Sequence, residues 1–191
     1  YATGFRILGA EGQQSTLIRI TNPWQSATDV ETMLFIARAG EKAPFGFRGQ
    51  VLHSDAKRIV CMSSSHIAML DVMESVGNVV GVSGKDFITN PYIAANRHSI
   101  ADVGYDSNIN FELLVAQRPD IVLLYGVTGA CSMQSKLEEL GIPYIYIGEY
   151  VEEDPLGKTE WLIVIAEIIG KREQGIAYFS EVPKRYNHLK S

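Results

Sequence analysis

The sequence predicts an α/β fold: a three-layer αβα, Rossmann-like lobe with a parallel central sheet, preceded by a β-rich N-terminal extension and followed by a long C-terminal helix. Three observations predict it. From residue 56 onward, short apolar runs alternate with helical segments, and strands separated by helices pair in parallel through right-handed crossovers. One run, Ile121-Val122-Leu123-Leu124, is continuously apolar, as suits a strand buried on both faces. The closing stretch "PLGKTEWLIVIAEIIGKREQGIAYFSEVPKRYNHLK" keeps a helical pattern with no returning strand.

Residues 1–55 form the extension. "FRILGAEGQQSTLIRITNPW" reads as strands Phe5–Leu8 and Thr16–Ile20 around a Gly- and Gln-containing turn, and "VETMLFIARAG" as a third strand. Residues 56–157 form the lobe, with strands at Arg58–Met62, Asn78–Val82, Ile121–Tyr125 and Tyr144–Ile147. Helices are expected at 66–76, 110–117 and 132–140. Gly77 and Gly141 are placed where a helix end needs a left-handed residue. Pro119 stops the middle helix before its strand. The backbone helix is assigned to residues 158–191, with Gly170, Gly175 and Pro183 expected to bend or divide it. No internal repeat or low-complexity tract is evident.

The chain has 191 residues, 46% hydrophobic and 20% charged, with a formal net charge of −5. Those values suit one globular domain and give no support for nucleic-acid binding, since no basic run of five residues occurs. Trp161–Ile169 contains Glu167 and is far shorter than the roughly 20 residues of a membrane span. The chain opens at Tyr1 rather than Met, so a trimmed mature chain is expected and the cytoplasm is not implied. Cys61 and Cys131 have neither metal nor redox spacing; Cys61 reads as a small buried hydrophobe and no disulfide between them is expected.

Ligands of parallel sheets bind at the carboxyl ends of the strands, so the segments that follow them carry the candidate residues. "CMSSSHIAML" offers Ser64, Ser65 and His66: a helix-capping serine first, an anion contact second, and a metal-ligating histidine only if other ligands join it. "GVSGKDFITNPY" supplies a tight turn at Gly84 and candidate pocket residues Lys85, Asp86 and Tyr92. It lacks the spacing of a dinucleotide fingerprint or a phosphate loop. "DVGYDSN" contributes Tyr105 and "YGVTGACS" contributes Tyr125. Aromatics converging on one sheet edge make a platform for a large, partly apolar ligand. No nucleophile–base pair, GxSxG elbow or HExxH is legible, which weighs against an enzyme.

The order "RIVCMSSSHIAMLDVMESVGNVVGVSG", "DVGYDSNINFELLVAQRPDIVLLYG" and "LEELGIPYIYIGEY" resembles the substrate-binding proteins of ABC importers for ferric siderophores, haem and cobalamin. The resemblance covers about residues 56–190. Its most specific part is Asn110-x-Glu112-x-x-Val115-Ala116-x-x-Pro119-Asp120-x-Val122, with the Gly141-Ile142-Pro143 turn and "PLGKTEW".

The resemblance implies two α/β lobes bridged by a helix, of which this chain holds the first lobe and most of the bridge, the second lobe being absent. It implies an exported protein, periplasmic or envelope-anchored, with no catalytic residues and no resident cofactor. The ligand, a ferric siderophore, haem or cobalamin, would meet Ser64, Ser65, His66, Lys85, Tyr92, Tyr105 and Tyr125. Only His66 is suitably placed for direct metal binding, with His98 distant, so a chelated metal is favoured over a naked ion. Glu112 would dock against basic residues of the membrane permease, or simply complement the positive end of its helix. A cleft face lacking its second lobe could promote dimers. Competing readings are a flavodoxin-like or nucleotide-binding enzyme domain, and an interaction module using the β-rich extension as a sheet edge.

Overall fold

In the computed structural model, residues 1–105 and 107–190 are described, and they form two sheets with helices packed around them. The first sheet is N-terminal. Its strands β1 (Phe5–Gly9), β2 (Thr16–Thr21), β3 (Glu31–Ile36) and β4 (Gln50–Leu52) lie in that order, the first three antiparallel and β4 parallel to β3. Alternation along β2 turns Ile18 and Ile20 inward, where they join Leu34 and Ile36. All four belong to the same core as Ile59, Val122 and Trp161. The N-terminal segment is therefore part of the core.

The second sheet is wholly parallel, in the order β7-β6-β5-β8-β9. Its members are β5 (Ile59–Cys61), β6 (Val79–Val82), β7 (Ala101–Asp102), β8 (Ile121–Leu124) and β9 (Tyr144–Tyr146). Every residue of β5, β8 and β9 is buried, as the continuous apolar runs require. The two-residue β7 has no such run and was not expected. Crossovers include α1 (Ser64–Val72), α2 (Pro91–Ala95), α3 (Phe111–Ala116) and α4 (Gln134–Leu140). Gly141 ends α4 with φ 65°, as its spacing predicts. Gly77 does not play that part: it lies in a 3-10 turn at Val76–Asn78, and the left-handed residue after α1 is Glu74.

The C-terminal helical region begins before 158 and is divided at Gly170, as expected, and also between Glu160 and Leu162. It is divided into α5 (Pro155–Glu160), α6 (Leu162–Ile168) and α7 (Arg172–Lys190); Ser191, also assigned to the helix, lies outside the described residues. Pro155 sits in the first turn of α5, where its missing N–H costs nothing, and Asp154 caps that helix by accepting from Leu156 N–H at 2.8 Å. α6 is buried almost throughout. At Gly170, with φ 72°, the chain turns back, and α7 packs along α6 and α5 with Gly175 directly against Ala166. Neither Gly175 nor Pro183 divides α7, because the contacts with α6 and α5 sustain it.

Two buried carboxylates tie the N-terminus to these helices. Glu152 accepts from Thr3 N–H, Gly4 N–H and Trp161 Nε1–H, each at 3.0 Å. Glu167, only 1% exposed, accepts from Thr16 Oγ1 at 2.6 Å and from Arg38 at 2.7 Å, with Arg172 at 3.5 Å from its other oxygen. Among the described residues no helix is long and apolar enough to cross a membrane.

Candidate functional site at the rim of the parallel sheet

Strand order reverses direction between β5 and β8: β6 and β7 lie on one side of β5, β8 and β9 on the other. Such a switch point opens a crevice between loops that diverge to opposite sides of the sheet. A cavity of about 260 Å³ occupies that place, lined by Met62 after β5, Ser83 after β6, Ile109, and residues 125–133 after β8.

The loops around it present exposed aromatic rings. Tyr105, after β7, is 52% exposed, and Phe87, after β6, is 76% exposed; they meet edge-to-face with centroids 6.1 Å apart. Tyr125 after β8 and Tyr150 after β9 are 39% and 59% exposed. Four of the five strands are thus followed by an exposed aromatic. Phe87 and Tyr150 escaped the sequence reading, although both stand in the segments directly following a strand, which was the available signal. Asp102 was also missed. Its carboxylate accepts from the N–H groups of Gly84, Lys85 and Gly104 at 3.1, 2.8 and 3.0 Å, joining two rim loops.

Other expected site residues are distributed differently. Ser63 is the residue that caps α1, accepting from Ser65 N–H at 3.3 Å, while Ser64 is exposed. Ser65 donates its hydroxyl to Glu149, whose carboxyl is held above its ordinary range by burial. These two, with Tyr178 of α7, border a separate cavity of about 330 Å³.

His66 does not reach the rim. It is 0% exposed, and burial pushes its pKa down to about 3, opposed by the Leu123 backbone, with neither ring nitrogen in a well-formed hydrogen bond. Its position on α1 shares the inward face with Ile67 and Leu70, which is why the helix carries it into the core. Lys85 extends to the carbonyl of Arg97 at 2.6 Å, and Asp86 pairs with the Arg97 guanidinium. Tyr92 places its hydroxyl beside Gly77, which precedes β6, at the sheet's opposite end. Among the described residues no group of three or more His, Cys, Asp or Glu could hold a metal ion. Glu112 is exposed in the first turn of α3, which Asn110 caps by accepting from Leu113 N–H at 2.9 Å.

The loop after β8 is fixed from below. Tyr146 Oη accepts from Cys131 N–H and donates to Gln134 Oε1, both at 2.8 Å, and burial pushes its pKa up to about 12. Trp24, from the loop joining β2 and β3, meets the Tyr146 ring edge-on at 5.3 Å.

Comparison with known proteins agrees with this architecture. A family model described as periplasmic binding protein matches residues 59–191. An uncharacterized lipoprotein of Methanocaldococcus jannaschii is 30% identical over 151 residues, covering 74% of this chain and 36% of the relative. A second lipoprotein of that organism is 27% identical over 172 residues, 86% of this chain and 44% of the relative. The fold matches a periplasmic heme-binding protein of Vibrio cholerae with TM-score 0.57 and 20% identity, over 70% of this chain and 49% of that one. A periplasmic heme-binding protein of Pseudomonas aeruginosa gives 0.56 and 20%, over 70% and 45%. The periplasmic vitamin B12-binding protein of Vibrio cholerae gives 0.55 and 18%, over 71% and 50%. The chain spans about half the length of these solved structures and less than half that of the two lipoproteins.

Proposed function

Since the chain belongs to the periplasmic binding protein family, a family of binding proteins and not of enzymes, we propose that it is the ligand-capturing part of an ABC importer for a metal chelate. The cargo is a ferric siderophore, haem or cobalamin, gripped between this rim and a second lobe and handed to a membrane permease. Export to the periplasm or envelope goes with this reading, which the lipoprotein relatives support.

One observation carries the choice of ligand class: Tyr125 lines the switch-point cavity, and Phe87, Tyr105 and Tyr150 stand exposed in the segments that follow β6, β7 and β9. Rings held on separate loops over a rigid sheet suit a broad, partly apolar ligand, which stacks on several faces at once. Glu112 is proposed as the permease contact, because an exposed carboxylate guides encounter with a basic partner. His66 has no part in this grip, its imidazole being enclosed by the core.

Isothermal calorimetry of the full-length protein with a ferric hydroxamate siderophore, haem and cyanocobalamin tests the reading. Saturable heat with one of them is expected, and heat with none rejects the chelate class. Binding of flavin or nucleotide instead would return the enzyme alternative.

A further inference from the structure

The loop between β2 and β3, residues 22–30, belongs to the N-terminal sheet but ends at the rim. Its base is closed by Asn22 N–H donating to Val30 O at 2.9 Å and Val30 N–H donating to Asn22 Oδ1 at 3.1 Å. Asn22, Ser26 and Asp29 all hold positive φ, at 47°, 61° and 58°. Asn and Asp enter this region readily, whereas Ser26 there carries a cost that surrounding contacts offset.

Those contacts reach the wall of the switch-point cavity at both ends. Gln25 N–H donates to Val127 O at 2.9 Å. Gly126 meets Trp24 so closely that a Cβ there would lie 3.0 Å from Trp24 Cβ. At the far end, the Tyr146 ring that Trp24 abuts is the one whose hydroxyl accepts from Cys131 N–H. Gly126 and Cys131 therefore bear on one Trp24–Tyr146 unit, with Val127 held beside it by the Gln25 backbone, although neither Trp24 nor Gln25 lines the cavity.

We infer that Trp24 is a positioning residue for the ligand site: through Tyr146 and Gly126 it holds the loop of residues 126–131 in the shape that forms the cavity wall. The inference rests on the rim being the ligand site, and it assigns the N-terminal sheet a part in specificity as well as in folding. Removing an edge-on aromatic contact shifts an equilibrium by up to about tenfold. An exposed loop should express that shift locally.

The test is hydrogen–deuterium exchange of the full-length protein and its Trp24→Ala and Trp24→Phe variants, with calorimetric titration of haem and cyanocobalamin. In Trp24→Ala, amides of residues 126–132 should exchange about fivefold faster while those of Val122–Leu124 keep their native rates. The bound probe should weaken by a similar factor, and Trp24→Phe should restore both. Should Trp24→Ala fail to fold, Trp24→Leu keeps apolar volume without the ring contact and carries the same expectation. Unchanged loop exchange, or exchange that rises equally in the core strands, overturns the inference. A native protein that binds neither probe, nor a ferric hydroxamate siderophore, rejects the chelate reading alone, and the exchange result still decides what Trp24 does.

Discussion

Gln50 and Tyr144 are joined by two hydrogen bonds: the Gln50 amide donates to Tyr144 O at 2.7 Å and accepts from Tyr144 N–H at 2.8 Å. One side chain from the last strand of the N-terminal sheet thus stands where a neighbouring strand's backbone would pair with β9. The open edge of the parallel sheet is sealed at this residue, and the two sheets are fastened together. Gln50→Leu leaves both Tyr144 groups unpaired in a partly buried place and should destabilise the fold by about 1–3 kcal/mol. Gln50→Glu, which keeps an acceptor and loses the donor, should cost as much or more. Urea denaturation of the three proteins measures it.

Arg38 carries the second fastening. It reaches Glu167 Oε1 at 2.7 Å, the Glu167 carbonyl at 2.8 Å and Asp55 Oδ1 at 2.8 Å. Gly170, at φ 72°, lies so close to Asp55 that a side chain there would force the Asp55 carboxylate to shift. Arg38→Ala takes the nearer arginine from the buried Glu167 carboxylate, leaving it Thr16 and the more distant Arg172, and should cost about 3 kcal/mol. The Arg38→Ala, Glu167→Ala pair should cost clearly less than the sum of the singles, since the buried charge is gone. Additive losses in denaturation midpoints would refute the coupling.

His66 makes acid stability predictable in sign. Burial lowers its folded pKa to about 3 from an ordinary 6.5, so below pH 6.5 the unfolded chain takes up the proton that the folded chain refuses. Stability from this residue is fully present above that pH and is lost as pH falls toward 3, with a slope of up to ~1.4 kcal/mol per pH unit. Glu149 acts in the opposite sense: burial raises its carboxyl, so its contribution is present at low pH and declines as pH rises. His66→Leu should flatten the loss of stability between pH 6 and pH 4, measured by thermal melts across that range. An unchanged slope would place the proton uptake elsewhere.

Glu112→Arg reverses an exposed charge in the first turn of a short helix. Folding stability should change by no more than about 1 kcal/mol, and chelate affinity should stay native. Transport should fall steeply, because only the encounter with a basic partner is reversed. Equal loss of ligand affinity would relocate Glu112 to the binding site. Uptake assays with the reconstituted importer, beside calorimetry on the soluble protein, separate these outcomes.

Much of this molecule is legible in single residues. Asn110 is followed by an apolar helical face and caps α3, and Gly141 takes the left-handed position after α4. The cores of β5, β6, β8 and β9 coincide with apolar runs, because a buried parallel strand leaves no alternating polar trace. Tyr105 and Tyr125 stand at the rim where their place after strands puts them. Where sequence reading fails, the missing information is direction. Tyr92 follows a strand as Tyr105 does, yet α2 carries it toward Gly77. The "SSSHIAML" segment looks like a donor-rich helix start, yet it turns His66 inward.

By itself, then, the amino-acid order determined the strands β5, β6, β8 and β9, the helices α1, α3 and α4 between them, the stop of α4 at Gly141, and that the strands of the lobe pair in parallel, while β7, α2 and the bounds of the C-terminal helices lay outside it. Local sterics, capping and apolar periodicity act within a few residues and need no other part of the chain. Only the tertiary structure decided that Arg38 would meet Glu167, that Gln50 would close the edge of β9, and that Trp24 would stand behind the rim loop. Those partners lie far apart along the chain. Their meeting depends on strand order and on how buried polar groups find one another once water has left, and no short window of sequence contains that.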